Sequence, residues 1–109
     1  MKKNMGKKRI IVTGGSGSLG RTLIPKLVSD GFDCISISRK SDSIGSVNNI
    51  KCDITNFQKV NSVINKFKPN IIIHLAGLTG NLECESNPKL AFSSNVSGTL
   101  NILQASIKL

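Results

Sequence analysis

Gly14, Gly17 and Gly20 fall three residues apart in TGGSGSLG, residues 13–20, directly after the aliphatic run Ile10, Ile11 and Val12. A buried strand that turns through glycines into a helix brings free main-chain N–H groups and the positive end of the helix dipole to one point. The ligand suited to that point is the diphosphate of a dinucleotide. The glycines divide the work: Gly14 lets the chain leave the strand through angles a β-carbon blocks, Gly17 admits phosphates close to the main chain, and Gly20 lets the helix sit close on the sheet. The rival phosphate chemistry is that of a P-loop, because residues 15–22 fit GxxxxG followed by a basic residue and a threonine. Arg21 stands where the phosphate-reaching lysine belongs, so the tighter glycine spacing favours the dinucleotide form.

The elements needed to place this turn are legible on either side of it. Leu19, Leu23, Ile24, Leu27 and Val28 recur at helical spacing, and Gly31 stops the helix after Asp30. Pro25 inside it removes a backbone donor and predicts a local bend or an irregular first half. Residues 34–38 (CISIS) suit a second strand with Ile35 and Ile37 on one face. Its end carries Ser38, Arg39 and Lys40 rather than the carboxylate that selects the free 2′-hydroxyl of NAD. A guanidinium there pairs with the 2′-phosphate of NADP, a contact worth roughly 1.5–3 kcal/mol. NADP is therefore preferred to NAD, with a solvated basic turn, or Asp42 reaching the ribose, as the alternatives.

Residues 50–53 (IKCD) form a short third strand ending at Asp53 and Ile54. Two readings stand: Asp53 accepts from an adenine amino group with Ile54 packed on the ring, or Asp53 serves only the junction at Thr55 and Asn56. After that junction Phe57, Val60, Val63, Ile64 and Phe67 mark the apolar face of a helix. Pro69 ends it before a fourth strand, residues 71–75 (IIIHL), apolar enough to be buried on both faces. Ala76 and Gly77 leave room across its end. His74, the only histidine, reads as a packed structural residue. After a loop with Glu83, Cys84 and Glu85, Pro88 opens a helix in which Leu90, Ala91, Val96, Leu100, Ile102, Leu103 and Ile107 are expected to be buried. Gly98 permits close packing on the sheet, and Asn95 bonds either a cofactor or neighbouring main chain.

A chain of 109 residues, 39% hydrophobic and 19% charged, suits one soluble domain preceded by a basic tail over residues 1–9. No run approaches a membrane span, and the basic start lacks the apolar core of a signal peptide. The net charge of +9 owes five bases to Lys2, Lys3, Lys7, Lys8 and Arg9; without them ten bases face six acids. With four Phe and no Tyr or Trp to stack on bases, the tail reads as solvated rather than nucleic-acid-binding. Cys34, Cys52 and Cys84, odd in number and widely spaced, fit reduced thiols in the cytoplasm and show no metal spacing.

Together TGGSGSLG, CDIT, KPNIIIHLAG and NVSGTLNILQAS resemble the ordered cofactor signatures of the extended short-chain dehydrogenase/reductases, the NAD(P)-dependent nucleotide-sugar epimerase and dehydratase family. The resemblance covers residue 10 to about residue 106. It implies an α/β Rossmann fold, a parallel sheet in strand order 3-2-1-4 with helices on both faces. It implies that Ser18 and Leu19 lie under the pyrophosphate and Asp53 and Ile54 at the adenine. Leu75, Ala76, Gly77, Leu78 and Thr79 would flank the ribose and nicotinamide, with Asn95 near the cofactor. Family chemistry passes a hydride between a sugar carbon and nicotinamide while a tyrosine, assisted by a lysine four residues on, moves a proton. This chain has no tyrosine. The expectation is a cofactor-binding N-terminal half, inactive by itself, whose outer sheet edge leaves it marginally folded or self-associating. Ser93, Ser94 or His74 would need a base and an oxyanion site to catalyse anything. Relatives pair through helices including the one near Pro88, so a homodimer is expected, with a nucleotide sugar as substrate. The alternative is a non-catalytic NADP-binding regulatory or scaffold protein.

Overall fold

The computed structural model describes residues 6–40, 44–45, 47–77 and 81–107. Four parallel strands, β1 (Arg9–Thr13), β2 (Asp33–Ser38), β3 (Asn49–Lys51) and β4 (Ile71–His74), pair in the order β3-β2-β1-β4. Helices α1 (Ser18–Ser29) and α2 (Phe57–Phe67) make the crossovers, and α3 (Asn81–Ser86), α4 (Pro88–Phe92) and α5 (Gly98–Ile107) follow β4. A π-helical turn, Ser93–Ser97, joins α4 to α5. The chain pairs outward from β1 in one direction through β3 and then returns to β1's other side with β4. That reversal opens a crevice at the carboxyl ends of β1 and β4.

Both faces of the sheet are covered, as parallel sheets require. On one face Ile11, Ile35 and Ile37 pack with Val60, Val63 and Ile64 of α2 and Ile102 and Ala105 of α5. On the other, Ile10, Val12 and Cys34 meet Ile24 of α1 and a tight turn closed by Val47 N–H to the Ile44 carbonyl at 3.0 Å. Arg9 belongs to β1 rather than to a solvated tail. Its guanidinium lies 3.8 Å from Asp33 and 4.2 Å from the centre of the Phe67 ring.

Several expectations need correction. Pro25 does not interrupt α1, because it lies on the exposed side with Arg21, where water can serve the carbonyl that loses its helical donor. Asp30 and Gly31, the latter at φ 95°, end the helix as expected. Strand β3 stops at Lys51, although Cys52 N–H still reaches the Ser38 carbonyl at 2.7 Å. Strand β4 is one residue shorter than expected and only partly buried, since it is the sheet edge and pairs with β1 alone. The loop expected around Cys84 contains α3. Of the apolar residues assigned to the last helix only Ile102 is fully buried. Leu90, Val96, Leu100, Leu103 and Ile107 are exposed, because α5 buries only the face carrying Gly98, Ile102 and Ala105, against Ile54, α2 and the core beneath.

Candidate functional site

A cleft of about 650 Å³ lies across the carboxyl ends of the strands, lined by the glycine turn, the end of β2, residues 52–55, residues 75–77 and the start of the π turn. Its floor is built by close packing. Gly14 has φ 71°, and a β-carbon there would stand 2.7 Å from Ala76 N, so the turn is pressed against the end of β4. Gly14 N–H continues the ladder to the Ile37 carbonyl at 2.8 Å. At Gly20 a β-carbon would meet the Gly15 main chain at 2.5–2.7 Å. Gly20 therefore lets α1 close on its own loop, not on the sheet. Gly17 differs, since a β-carbon there would find only the Gly14 carbonyl oxygen at 3.4 Å, an ordinary contact. The fold itself leaves that space open.

Gly17 is the N-cap of α1, and neither a side-chain cap nor an acidic residue occupies its first turn. Helices α2 and α4 are each capped by asparagine: Asn56 Oδ1 accepts from Lys59 N–H at 3.1 Å, and Asn87 Oδ1 from Leu90 N–H at 3.2 Å. The opening amides of α1, beside exposed Ser18 and Leu19, are thus presented to the cleft with the positive dipole end uncompensated. Leu19 is 61% exposed, so it lines the cleft instead of joining the buried face of α1. Arg21 Nε braces the turn by donating to the Ser16 carbonyl at 2.8 Å.

At the far end of the cleft the basic turn after β2 is held in shape by Ser38. Its hydroxyl is directed to the Lys40 carbonyl (3.0 Å) and Asn49 Oδ1 (3.1 Å), while Asn49 Nδ2 donates to the same carbonyl at 2.7 Å. Ser38 is buried and works by fixing the turn; Arg39 and Lys40 are exposed in it and line the cleft. Asp42 lies outside the described residues. Opposite, Asp53 Oδ1 accepts from Thr55 N–H (3.0 Å) and Thr55 Oγ1 (2.8 Å). These bonds, helped by the nearby Arg39 charge, hold the Asp53 carboxyl below its ordinary value against a smaller opposing effect of burial. Asp53 therefore shapes the junction and also borders the cleft, while Asn56 does the capping. Ile54 is 6% exposed and is a core residue that reaches the cleft; Asn101 Nδ2 holds its carbonyl at 2.8 Å. A β-carbon at Gly98 would meet Ile54 Cδ1 at 2.6 Å, so Gly98 packs on this residue rather than on the sheet.

Leu75, Ala76 and Gly77 form the β4 side of the cleft, and Leu78 and Thr79 lie outside the described residues. Asn95 does not line the cleft itself; its Oδ1 sits 2.7 Å from where a β-carbon at Gly77 would be, so it backs the wall. Ser16, Lys40, Cys52, Thr55, Leu90, Ser93 and Ser94 also line the cleft. Ser93 and Ser94 reach it through the π turn, whose extra residue per turn no periodicity in the sequence announces. His74, half-buried at the end of β4, joins Thr13 and Thr99 and supports the wall from behind. A hollow of about 800 Å³ lies at the opposite end of the sheet, lined by Lys7, Arg9, Lys59 and Lys66 among others, but none of the glycine turn opens into it. Among the described residues no cluster of His, Cys, Asp or Glu has metal-binding geometry, and no helix is long and apolar enough to cross a membrane.

Comparison with known proteins agrees with this geometry. The model of the NAD-dependent epimerase/dehydratase family matches residues 10–109. The CDP-paratose 2-epimerase of Salmonella typhi is 35% identical over 108 residues, covering 89% of this chain and 32% of the relative. The L-threonine dehydrogenase of Clostridium difficile superposes with a TM-score of 0.85 at 28% identity, covering 94% of this chain and 34% of that one. The dTDP-4-dehydrorhamnose reductase of Bacillus anthracis, solved in complex with NADP, gives 0.78 at 33% identity, covering 92% and 32%. The chain spans about a third of the length of the curated relatives it matches.

Proposed function

The chain belongs to the NAD-dependent epimerase/dehydratase family, and from that premise we propose that it is the dinucleotide-binding portion of a nucleotide-sugar epimerase, dehydratase or reductase. The observation that carries this reading is the start of α1. Its amides have no side-chain cap, and the missing Gly17 side chain leaves a space the fold does not use. A diphosphate fits such a place because its oxygens accept from N–H groups and its charge complements the helix dipole. The adenosine end lies between Arg39 and Asp53, and the nicotinamide end runs along Leu75, Ala76 and Gly77. When bound, the cofactor supplies hydride transfer. The chain's own residues bind and orient it: the α1 amides hold the diphosphate, Arg39 and Lys40 attract the 2′-phosphate of NADP, and Asp53 accepts from the adenine.

The 109 residues contain no tyrosine, the proton-moving residue that the family resemblance implies. By themselves they bind a dinucleotide and transfer no hydride. Leu100, Leu103 and Ile107, exposed along one side of α5, support a homodimer through that helix. Calorimetric titration with NADP and NAD, on wild type and Arg39→Ala, tests the cofactor reading. NADP is expected to bind more tightly than NAD, and the substitution to weaken NADP roughly tenfold or more while leaving NAD little changed. Equal binding of both cofactors, unmoved by the substitution, refutes the role of Arg39; binding of neither refutes the site.

A further inference from the structure

His74 occupies a hydrogen-bonded position whose direction the surrounding donors decide. Thr13 Oγ1 accepts from Ala76 N–H at 3.0 Å and shares Leu75 N–H, also at 3.0 Å, with the Thr13 carbonyl, so its own proton is the one that points to His74 Nδ1, 2.6 Å away. Thr99 Oγ1 donates to the Asn95 carbonyl at 2.8 Å and so accepts from His74 Nε2 at 2.8 Å. Both requirements are met by one species, the neutral imidazole with its proton on Nε2. A proton added at Nδ1 would face the Thr13 hydroxyl proton and break the arrangement.

The partners at the two ends of the imidazole hold two segments that meet at the β4 wall of the cleft. Thr13 fixes the amides of Leu75 and Ala76, the segment against which Gly14 is pressed. Thr99 fixes the carbonyl of Asn95 in the π turn, whose side chain backs Gly77 and whose first residues, Ser93 and Ser94, line the cleft. We infer that His74 is a positioning residue that, as the neutral Nε2–H tautomer, ties the end of β4 to the π turn and so holds the β4 wall of the cofactor cleft in its binding shape, and that protonating it weakens cofactor binding. The inference rests on the dinucleotide-binding reading above. Titration of His74 is free of charged neighbours: β1 presents Thr13 and α5 presents Thr99, and the hollow beside the ring is lined by Asn70, Ile72, Leu103 and Ser106, with no charged side chain among its described residues. Burial lowers its affinity for a proton, in keeping with a neutral role.

As the chain's only histidine, His74 gives one unambiguous set of ring-nitrogen NMR signals. The experiment follows those signals across pH on the 109-residue chain, without and with saturating NAD, whose diphosphate does not titrate in the range used. NAD affinity is measured in parallel on wild type, Thr99→Val and Thr99→Ser. The expected result is an Nε2–H ring at neutral pH, a titration displaced to lower pH by NAD, and affinity that falls on acidification by at most tenfold per pH unit, as reciprocal linkage requires. Thr99→Val should weaken binding and flatten the pH profile, and Thr99→Ser should restore both. An Nδ1–H ring, or a titration that NAD leaves unmoved, overturns the inference even if NAD binds normally. Absence of NAD and NADP binding at every pH overturns the cofactor reading and this inference with it, whatever the tautomer.

Discussion

Adding one methyl group at Gly17 and, separately, at Gly20 should dissociate binding from stability. Gly17 has φ −76° and ψ 174°, open to any residue, and its new β-carbon would touch nothing closer than the Gly14 carbonyl oxygen at 3.4 Å. Gly17→Ala therefore leaves the fold intact, because the roughly 0.4–1 kcal/mol gained by restricting the unfolded chain is offset by alanine being a poorer N-cap than glycine, and the Tm changes little. The same methyl stands where diphosphate oxygens must approach the α1 amides. Losing one charge-assisted hydrogen bond costs roughly 1.5–3 kcal/mol, which is about a ten- to hundredfold loss of affinity. Gly20→Ala has the opposite profile. Its β-carbon would lie 2.5–2.7 Å from Gly15 main-chain atoms, which cannot swing aside as a side chain can. Forcing loop and helix apart costs roughly 1–3 kcal/mol, and each kcal/mol lowers the Tm of a domain this size by about 4–8 °C. Thermal unfolding followed by circular dichroism, with calorimetric titration of NADP, reads both quantities. Wild-type affinity in Gly17→Ala, or a drop in its Tm as large as that of Gly20→Ala, would refute the argument that the space at Gly17 is kept for a ligand.

Acid should destabilise the fold in a defined window. Burial holds His74 below its ordinary value of 6.5, so the unfolded chain takes up the proton first, and stability falls as pH drops through that value; Asp53, held below 3.8 by Thr55, adds a second loss under that pH. The buried thiols of Cys34 and Cys52 are raised above 9.0, mainly by burial, so the unfolded chain ionises first and stability also falls above that pH. Urea midpoints should therefore peak between these limits, and a midpoint that stays level or rises on acidification below 6.5 contradicts the His74 assignment. Ser36→Ala should raise the Tm or leave it unchanged, because the fully buried Ser36 hydroxyl has no hydrogen-bond partner among the described residues; a loss above about 1 kcal/mol would reveal a bond that the packing under Gly15 hides. Asn56→Ala removes the cap of α2 and should cost about 1 kcal/mol in chemical denaturation, whereas an unchanged midpoint would show that the Asp53 and Thr55 turn alone starts the helix.

The order of elements through β4 and the glycine turn were readable from the chain alone, because each depends on local spacing: alternating or continuous apolar runs, helical periodicity, and glycines where a side chain is sterically excluded; the strand order 3-2-1-4 is not local and followed only from the family resemblance. The basic turn at Arg39 and Lys40 was readable for the same reason, since it follows directly from where β2 ends. What the helix after Pro88 buries was not readable. Periodicity marks a residue as apolar but not which side of a helix its neighbours will cover, and the face covered carries Gly98, Ile102 and Ala105 while Leu100 and Leu103 stay exposed. Nor could spacing show that Gly20 accommodates Gly15, that Gly98 accommodates Ile54, or that a π turn carries Ser93 and Ser94 to the cleft. The role of His74 belongs wholly to the tertiary structure. Thr13, His74 and Thr99 lie 61 and 25 residues apart, and only the pairing of β1 with β4 and the packing of α5 bring their donors and acceptors within reach of one another.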